Sequence, residues 1–400
     1  MSKDRPTILQ IIPRLDAGGA ELSVVEMADA IVRAGGRALV LAETGVFARD
    51  VERAGGELVP FPAATKNPLR MWANVGAIAR FAAAERVDLI HARSRAPAWS
   101  ALGAARRARV PFVTTYHGAY NETNAVKRFY NSVMARGDVV IANSRYTADL
   151  ITARYATPPA RLEVIHRGVD PVRFDPAAVA PERISALRRA WDVPPDAPVI
   201  LQAARLTSWK GQGVLIAAAA RLAKQGRLGP AVLVLAGGAQ GREGYVAALQ
   251  GQIAQLGLGA HVRLAGHVAD MPAAYLTAQA TVIASIEPEA FGRTAIEAAA
   301  MGCPVVATDI GAPPETVLAG DSQGRTGWLV PPGDPGALAE RLAEALALAP
   351  EARAQIGARS RRHVLAQFTV AAMQRRTLAV YDRLLGTKLE GRFSTAFQAG

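Results

Sequence analysis

Thr281-Val-Ile-Ala284, Glu289-Ala-Phe-Gly-Arg-Thr-Ala-Ile-Glu297 and Pro304-Val-Val-Ala307 follow one another along the chain, and their reading decides the fold. The first and last are short apolar runs of the kind that form buried strands. Between them, the alanine-rich run from Arg293 to Met301 propagates as a helix. Further strand-like runs are Ala38-Leu-Val-Leu41, Asp88-Leu-Ile-His91, Val139-Val-Ile-Ala142 and Val232-Leu-Val-Leu235, each separated from the next by helix-like segments. Alternation of this kind predicts an α/β chain with parallel, doubly wound sheets, and ligands then bind beyond the carboxyl ends of the strands.

Within the opening stretch, Phe291-Gly292 breaks the chain after an irregular Glu-Pro-Glu loop. Glu289 therefore sits in a loop and Glu297 on a helix. The backbone N–H groups of Phe291, Gly292, Arg293 and Thr294 form a helix N-terminus, which suits phosphate or hydroxyl groups. One acidic pair is more often solvated surface charge, so the reading depends on agreement elsewhere. In Leu201-Gln-Ala-Ala-Arg-Leu-Thr-Ser-Trp-Lys-Gly-Gln212, an apolar strand beginning near Val199 ends at Arg205, and a loop carries Lys210 just ahead of a helix. Arginine can fork two phosphate oxygens and lysine supplies a compact charge, so the pair suits a diphosphate. At the N-terminal end, the strand Thr7-Ile-Leu-Gln-Ile-Ile12 runs into Pro13-Arg-Leu-Asp-Ala-Gly-Gly-Ala20 and then a helix from about Glu21. Gly18 and Gly19 allow backbone to approach a ligand closely. The full G-x-G-x-x-G spacing is missing, so a dinucleotide oxidoreductase is the weaker reading.

Together with Gly237-Gly238 after a strand, these motifs resemble the family 4 retaining glycosyltransferases over nearly the whole chain. The resemblance implies the GT-B fold, two doubly wound Rossmann-like domains facing a central cleft, and a nucleotide-sugar donor. It implies that Glu289 holds sugar hydroxyls, Glu297 the ribose, and Arg205 and Lys210 the leaving diphosphate. His117, in Thr114-Thr-Tyr-His-Gly118, would contact the donor sugar, and Gly18, Gly19, Gly237 and Gly238 would lie against the donor. Val164-Ile-His-Arg-Gly-Val-Asp170 is similar to the family's V-I-P-N-G-V-D segment, with His166-Arg167 in place of Pro-Asn. Gly311-Ala-Pro-Pro-Glu-Thr-Val317 is similar to its G-G-x-x-E segment with one glycine replaced, and base recognition would fall on backbone near Ala265-Gly-His-Val268. Lipopolysaccharide or lipid-linked glycans are the implied acceptors. No metal or other cofactor is implied, since Arg205 and Lys210 supply positive charge and no Asp-x-Asp pair occurs. The fold also serves phosphorylases, nucleotide-sugar epimerases and non-catalytic binding proteins.

A chain of 400 residues exceeds what one core usually supports. Two domains are expected, 1–175 and 190–369, and by the same resemblance a C-terminal helix at about 370–386 rejoins the first. Prolines at 171, 176, 181, 194, 195 and 198, around a helical stretch from Arg183 to Trp191, read as a linker. The tail from Gly386 shows no pattern and reads as a mobile end. Cys303 is the single cysteine, so no intramolecular disulfide is available, and it reads as a packing residue. The formal net charge of +12 calls for an anionic partner. Basic residues such as Arg93, Arg95, Arg106, Arg107 and Arg109 make an anionic membrane surface a candidate, at roughly 1 kcal/mol per near-surface cation. No nucleic-acid motif is present, so nucleic acid is not an expected partner. A polar start and no membrane-length apolar run predict a cytoplasmic protein, peripheral at the inner face of the membrane if it associates at all.

Overall fold

A computed structural model describes residues 5–16, 18–321 and 323–398. Its backbone separates into a first unit that runs to Arg167 and resumes at Val370, and a second unit from Gly168 to Thr369. The first unit holds strands β1 (Thr7–Arg14), β2 (Arg37–Glu43), β3 (Glu57–Pro60), β4 (Leu89–Ala92), β5 (Phe112–Tyr116), β6 (Val139–Ala142) and β7 (Leu162–Val164). They form one parallel sheet in the order β3-β2-β1-β4-β5-β6-β7. The second unit holds β8 (Val199–Ala203), β9 (Val232–Ala236), β10 (Val262–Gly266), β11 (Ala280–Ile283), β12 (Val305–Thr308) and β13 (Gly327–Val330), parallel in the order β10-β9-β8-β11-β12-β13.

Helices cover both faces of such sheets, so the central strands must be apolar on both sides. In β1, Ile8, Leu9 and Ile11 are fully buried, and Leu9 lies in register with Leu39 on one side and Ile90 on the other. Gln10 is a fully buried polar residue of β1. Its amide donates to the Val24 carbonyl at 3.1 Å, and its carbonyl accepts from Arg93 Nε at 2.8 Å. A buried amide satisfied at both ends holds a fixed orientation. The strand order reverses between β1 and β4 in the first sheet and between β8 and β11 in the second. At such a switch point neighbouring loops leave in opposite directions and open a crevice at the strand ends.

Two sequence expectations are corrected. The proline-rich stretch read as a linker is packed into the second unit, where Val169, Phe174, Val179, Trp191 and Val193 join its core. The division falls at Arg167–Gly168, upstream of the expected ends at 175 and 190. Proline is compatible with tight packing where it opens a helix, as Pro181 does for Pro181–Ala190. The tail is also ordered: residues Leu389–Gln398 form a helix that buries Leu389 and Phe393 in the first unit. Its start is held by Asp382, whose carboxylate accepts from the N–H groups of Leu389 at 2.7 Å and Glu390 at 2.9 Å. A cap supplied from seven residues upstream leaves no local signature, because the usual cap lies within three residues of its donors. Cys303 is buried beside Thr281, with Sγ and Oγ1 3.3 Å apart.

Candidate functional site

In the second unit, backbone contacts at the switch point bring two distant loops together. A Cβ at Gly237 would lie 1.9 Å from the Ala204 carbonyl oxygen, so only glycine lets the chain after β9 run beside the segment that ends β8. There Leu206 N–H donates to the Gly238 carbonyl at 3.2 Å, which fixes the backbone on either side of Arg205. Gly211 has φ +70, and a Cβ on it would lie 1.8 Å from the Ala284 carbonyl oxygen. The turn carrying Lys210 can therefore rest on the chain leaving β11, where Ile286 N–H donates to the Trp209 carbonyl at 2.8 Å.

Lys210 Nζ consequently sits 2.7 Å from Glu289 Oε1, with side-chain exposures of 16% and 9%. Ser285 Oγ donates to the same oxygen at 2.5 Å. The peptide of Glu289 is held too, because Ala312 N–H donates to its carbonyl at 2.9 Å and a Cβ at Gly311 would approach that oxygen to 2.5 Å. Sequence reading assigned Lys210 to a diphosphate and Glu289 to hydroxyls. The structure joins them into one largely buried ion pair, whose second carboxylate oxygen is left for another partner. Arg205 differs: it is exposed, and no carboxylate pairs with it among the described residues. Full positive charge at the end of β8 resides there.

The helix Arg293–Ala300 starts at Gly292, whose φ of +81 is strained for any residue with a side chain. Thr294 Oγ1 donates to the Ala203 carbonyl at 3.1 Å, pinning the first turn to the end of β8. Arg293 donates to the Gly168 carbonyl at 2.9 Å. Glu297 is partly buried. It accepts from the Tyr275 hydroxyl at 3.0 Å and lies 3.8 Å from Arg293 Nε. Burial, with the Glu297 carboxylate beside it, pushes the Tyr275 phenol well above its ordinary range, so it stays a donor. Phe291 is 3% exposed and faces Phe368 at 6.1 Å between ring centroids. Its side chain is a core anchor.

In the first unit, Gly18 precedes the helix Gly19–Arg33 in an extended conformation. The Gly19 carbonyl accepts from Ser23 Oγ at 2.9 Å and from the Arg167 guanidinium. The other arm of Arg167 donates to His117 Nδ1. His117 follows β5, and Arg93 follows β4. Arg93, Arg167 and His117, with Ser23, Thr115 and Asn143, line a cavity of about 20 Å³. That is room for about one water molecule. Burial, reinforced by Arg167, Arg93 and His91, holds the His117 imidazole well below its usual pKa. His91 is buried with Nδ1 2.6 Å from the Tyr381 hydroxyl and Nε2 2.7 Å from Thr115 Oγ1.

Gly211, Ser285 and Tyr275 belong to this arrangement too, and the sequence alone assigns them no role in it. A glycine immediately after the lysine was a usable signal for the first. The others reach the site through contacts across 4 to 22 residues and leave no spacing to read. Among the described residues, no group of three or more His, Cys, Asp or Glu side chains could hold a metal ion.

Comparison with known proteins agrees in both units. Residues 17–173 match the family model described as Glycosyltransferase Family 4, and residues 184–363 match that described as Glycosyl transferases group 1. A D-inositol 3-phosphate glycosyltransferase from Jonesia denitrificans is 30% identical over 409 aligned positions, covering 92% of each chain. Among solved structures, a glycosyltransferase from Rickettsia africae is 32% identical with a TM-score of 0.87, over 96% of this chain and all of that one. HepE from Anabaena, solved with UDP and glucose, is 26% identical with a TM-score of 0.83, over 95% of this chain and all of its own. Two parallel sheets with the described switch points, matched from end to end by enzymes of this kind, identify the chain as a member of the family 4 glycosyltransferases, with the GT-B fold.

Proposed function

We propose that this enzyme transfers a hexose from a nucleoside diphosphate sugar to an acceptor hydroxyl with retention at the anomeric carbon. One observation carries the reading: Lys210 and Glu289 meet at 2.7 Å at the switch point between β8 and β11, with unpaired Arg205 at the end of the same β8. A neutral, rigid pair suits sugar hydroxyls, whereas a free guanidinium suits a diphosphate. In the proposed step the bond from the anomeric carbon to the β-phosphate oxygen breaks and the bond to the acceptor oxygen forms on the same face. The acceptor proton passes to the departing phosphate. Arg205 and Lys210 stabilise the growing negative charge, and each such contact contributes about 3 kcal/mol to lowering the barrier. Glu289 receives sugar hydroxyls through its second oxygen, Glu297 the ribose, and His117 is assigned to the sugar. No nucleophile or metal is assigned.

UDP is the first nucleotide to test, because HepE was solved with UDP-glucose as well as with UDP and glucose. The curated relatives are named for D-inositol 3-phosphate, which makes a small phosphorylated cyclitol the first acceptor. A lipopolysaccharide or lipid-linked glycan is the second. Exposed Leu69 and Trp72 beside Lys66 and Arg70, and exposed Val126 and Phe129 beside Lys127 and Arg128, support contact with an anionic membrane surface. Among the described residues, no helix is long and apolar enough to cross a membrane.

The test is thermal stabilisation by UDP, GDP and ADP and their hexose conjugates, followed by product analysis with the stabilising donor in chelator. One nucleotide should raise Tm and its sugar should reach an acceptor with the anomeric configuration kept. Inverted product, or activity abolished by chelation and restored by manganese, would overturn the corresponding part of the proposal.

A further inference from the structure

Arg167 stands where the similar family segment carries asparagine, and the site described above gives it no task toward the donor. It reaches two groups at once: one arm donates to the Gly19 carbonyl and the other to His117 Nδ1. It is 6% exposed, so both contacts are made out of reach of bulk water.

A guanidinium carries donors and no acceptor. A contact from it to Nδ1 is a hydrogen bond only if Nδ1 offers its lone pair. A neutral imidazole has one N–H, so the proton then resides on Nε2. Protonating Nδ1 as well would set an imidazolium N–H against a guanidinium N–H, two donors and two positive charges in contact. His117 Nε2 is buried and has no hydrogen-bond partner among the described residues, although the ring lines a cavity able to hold a water. A buried donor left without an acceptor is unfavourable, so this N–H is held ready for an acceptor oxygen.

We propose that Arg167 is a positioning residue: it locks His117 in the neutral Nε2–H form, so that His117 meets substrate as a hydrogen-bond donor and not as a base, and it ties that ring to the glycine loop through the Gly19 carbonyl. The kinetic part rests on the assignment of His117 to the sugar; the tautomer does not. The groups acting on the imidazole are Arg167 after β7, Arg93 after β4 and His91 within β4, while Tyr120, which follows β5, is bonded to the His117 main chain. Tyr381, on the helix Val370–Leu385, faces His91, and Glu26, on the helix Gly19–Arg33, acts on Arg93.

The experiment is long-range ¹H–¹⁵N correlation of the histidine rings in the full-length protein, with His117 identified by the signals lost in His117→Gln. Expected is one Nε2–H pattern that stays neutral from about pH 8 down to about pH 5.5, below the ordinary histidine value of about 6.5. Arg167→Lys should keep the pattern, since an ammonium also only donates. Arg167→Met should give mixed tautomers and a titration moved up toward the ordinary value. A wild-type Nδ1–H pattern, an imidazolium at pH 7, or an Arg167→Met spectrum identical to wild type would overturn the assignment. In kinetics, Arg167→Met should add an acidic limb to the pH profile of kcat/KM, and should cost less than about threefold in a His117→Ala background. A full independent loss in that background would show that Arg167 acts other than through His117. Unchanged kcat/KM in His117→Ala, beside the expected ring spectrum, would remove His117 from the sugar and with it the donor role, while leaving the tautomer in place.

Discussion

At the switch point of the second unit, Lys210 and Glu289 cancel each other's charge at 2.7 Å. In the first unit, Arg93 and Arg167 line a cavity with His117, and no acidic side chain lines it with them. Both arrangements are buried, yet they meet the cost of burial differently. The ion pair offsets desolvation by mutual attraction and a hydroxyl from Ser285. The arginines donate to neutral acceptors, Arg93 to the Gln10 carbonyl and Arg167 to the Gly19 carbonyl and His117 Nδ1. A compensated pair gives rigidity and defined hydrogen-bond roles. In the first unit, burial, reinforced by the charges of Arg167 and Arg93, keeps the adjacent His117 neutral.

The largest break of this contrast is Lys210→Met, which strands Glu289 in a buried position. A loss of about 3–5 kcal/mol in stability is expected from denaturant unfolding. Arg93→Met, which removes the donor to the Gln10 carbonyl, should cost about 1–3 kcal/mol. Equal losses would mean that the two sites are not balanced differently. Arg205→Ala should lower kcat by about 100- to 1000-fold with Tm unchanged, since the side chain is exposed and unpaired; an unchanged rate would remove it from the site.

Acid tests the burial of the first unit's histidines. His91 and His117 are both held well below their ordinary pKa, chiefly by burial. Each is neutral when folded but takes up a proton when unfolded below about pH 6.5. The unfolded chain then binds more protons, so the stability contributed by these groups is present above that value and falls as the pH drops below it, by up to about 1.4 kcal/mol per pH unit for each histidine. Unfolding measured at about pH 7 and pH 5 should show this loss, and His91→Gln should reduce its slope; a flat profile would count against neutral burial. The smallest expected effect is that of Glu297→Ala, about tenfold weaker UDP binding by calorimetry, because Tyr275 and Arg293 already occupy part of its acceptor capacity. Unaltered affinity would break the ribose assignment.

The α/β alternation was legible because a strand buried on both faces must be largely apolar, as Val232–Leu235 is throughout and Thr7–Ile12 is apart from Thr7 and Gln10. Residue types suited to a nucleotide-sugar were legible as well, at Arg205, Lys210, Glu289 and Glu297. Three features were not: the ordered tail capped by Asp382, the packed stretch after Arg167, and the burial of Phe291 against Phe368. Each depends on a partner supplied from beyond the local turn.

By itself, then, the sequence determined the α/β alternation, though not the C-terminal helix, and which side chains carry usable chemistry, since both follow from local periodicity and residue type. Only the tertiary structure decided how those charges are balanced. Lys210 and Glu289 are 79 positions apart and His117 and Arg167 are 50 apart, yet each pair is in contact. Electrostatic energy depends on distance and burial in space, and neither is written in the spacing along the chain.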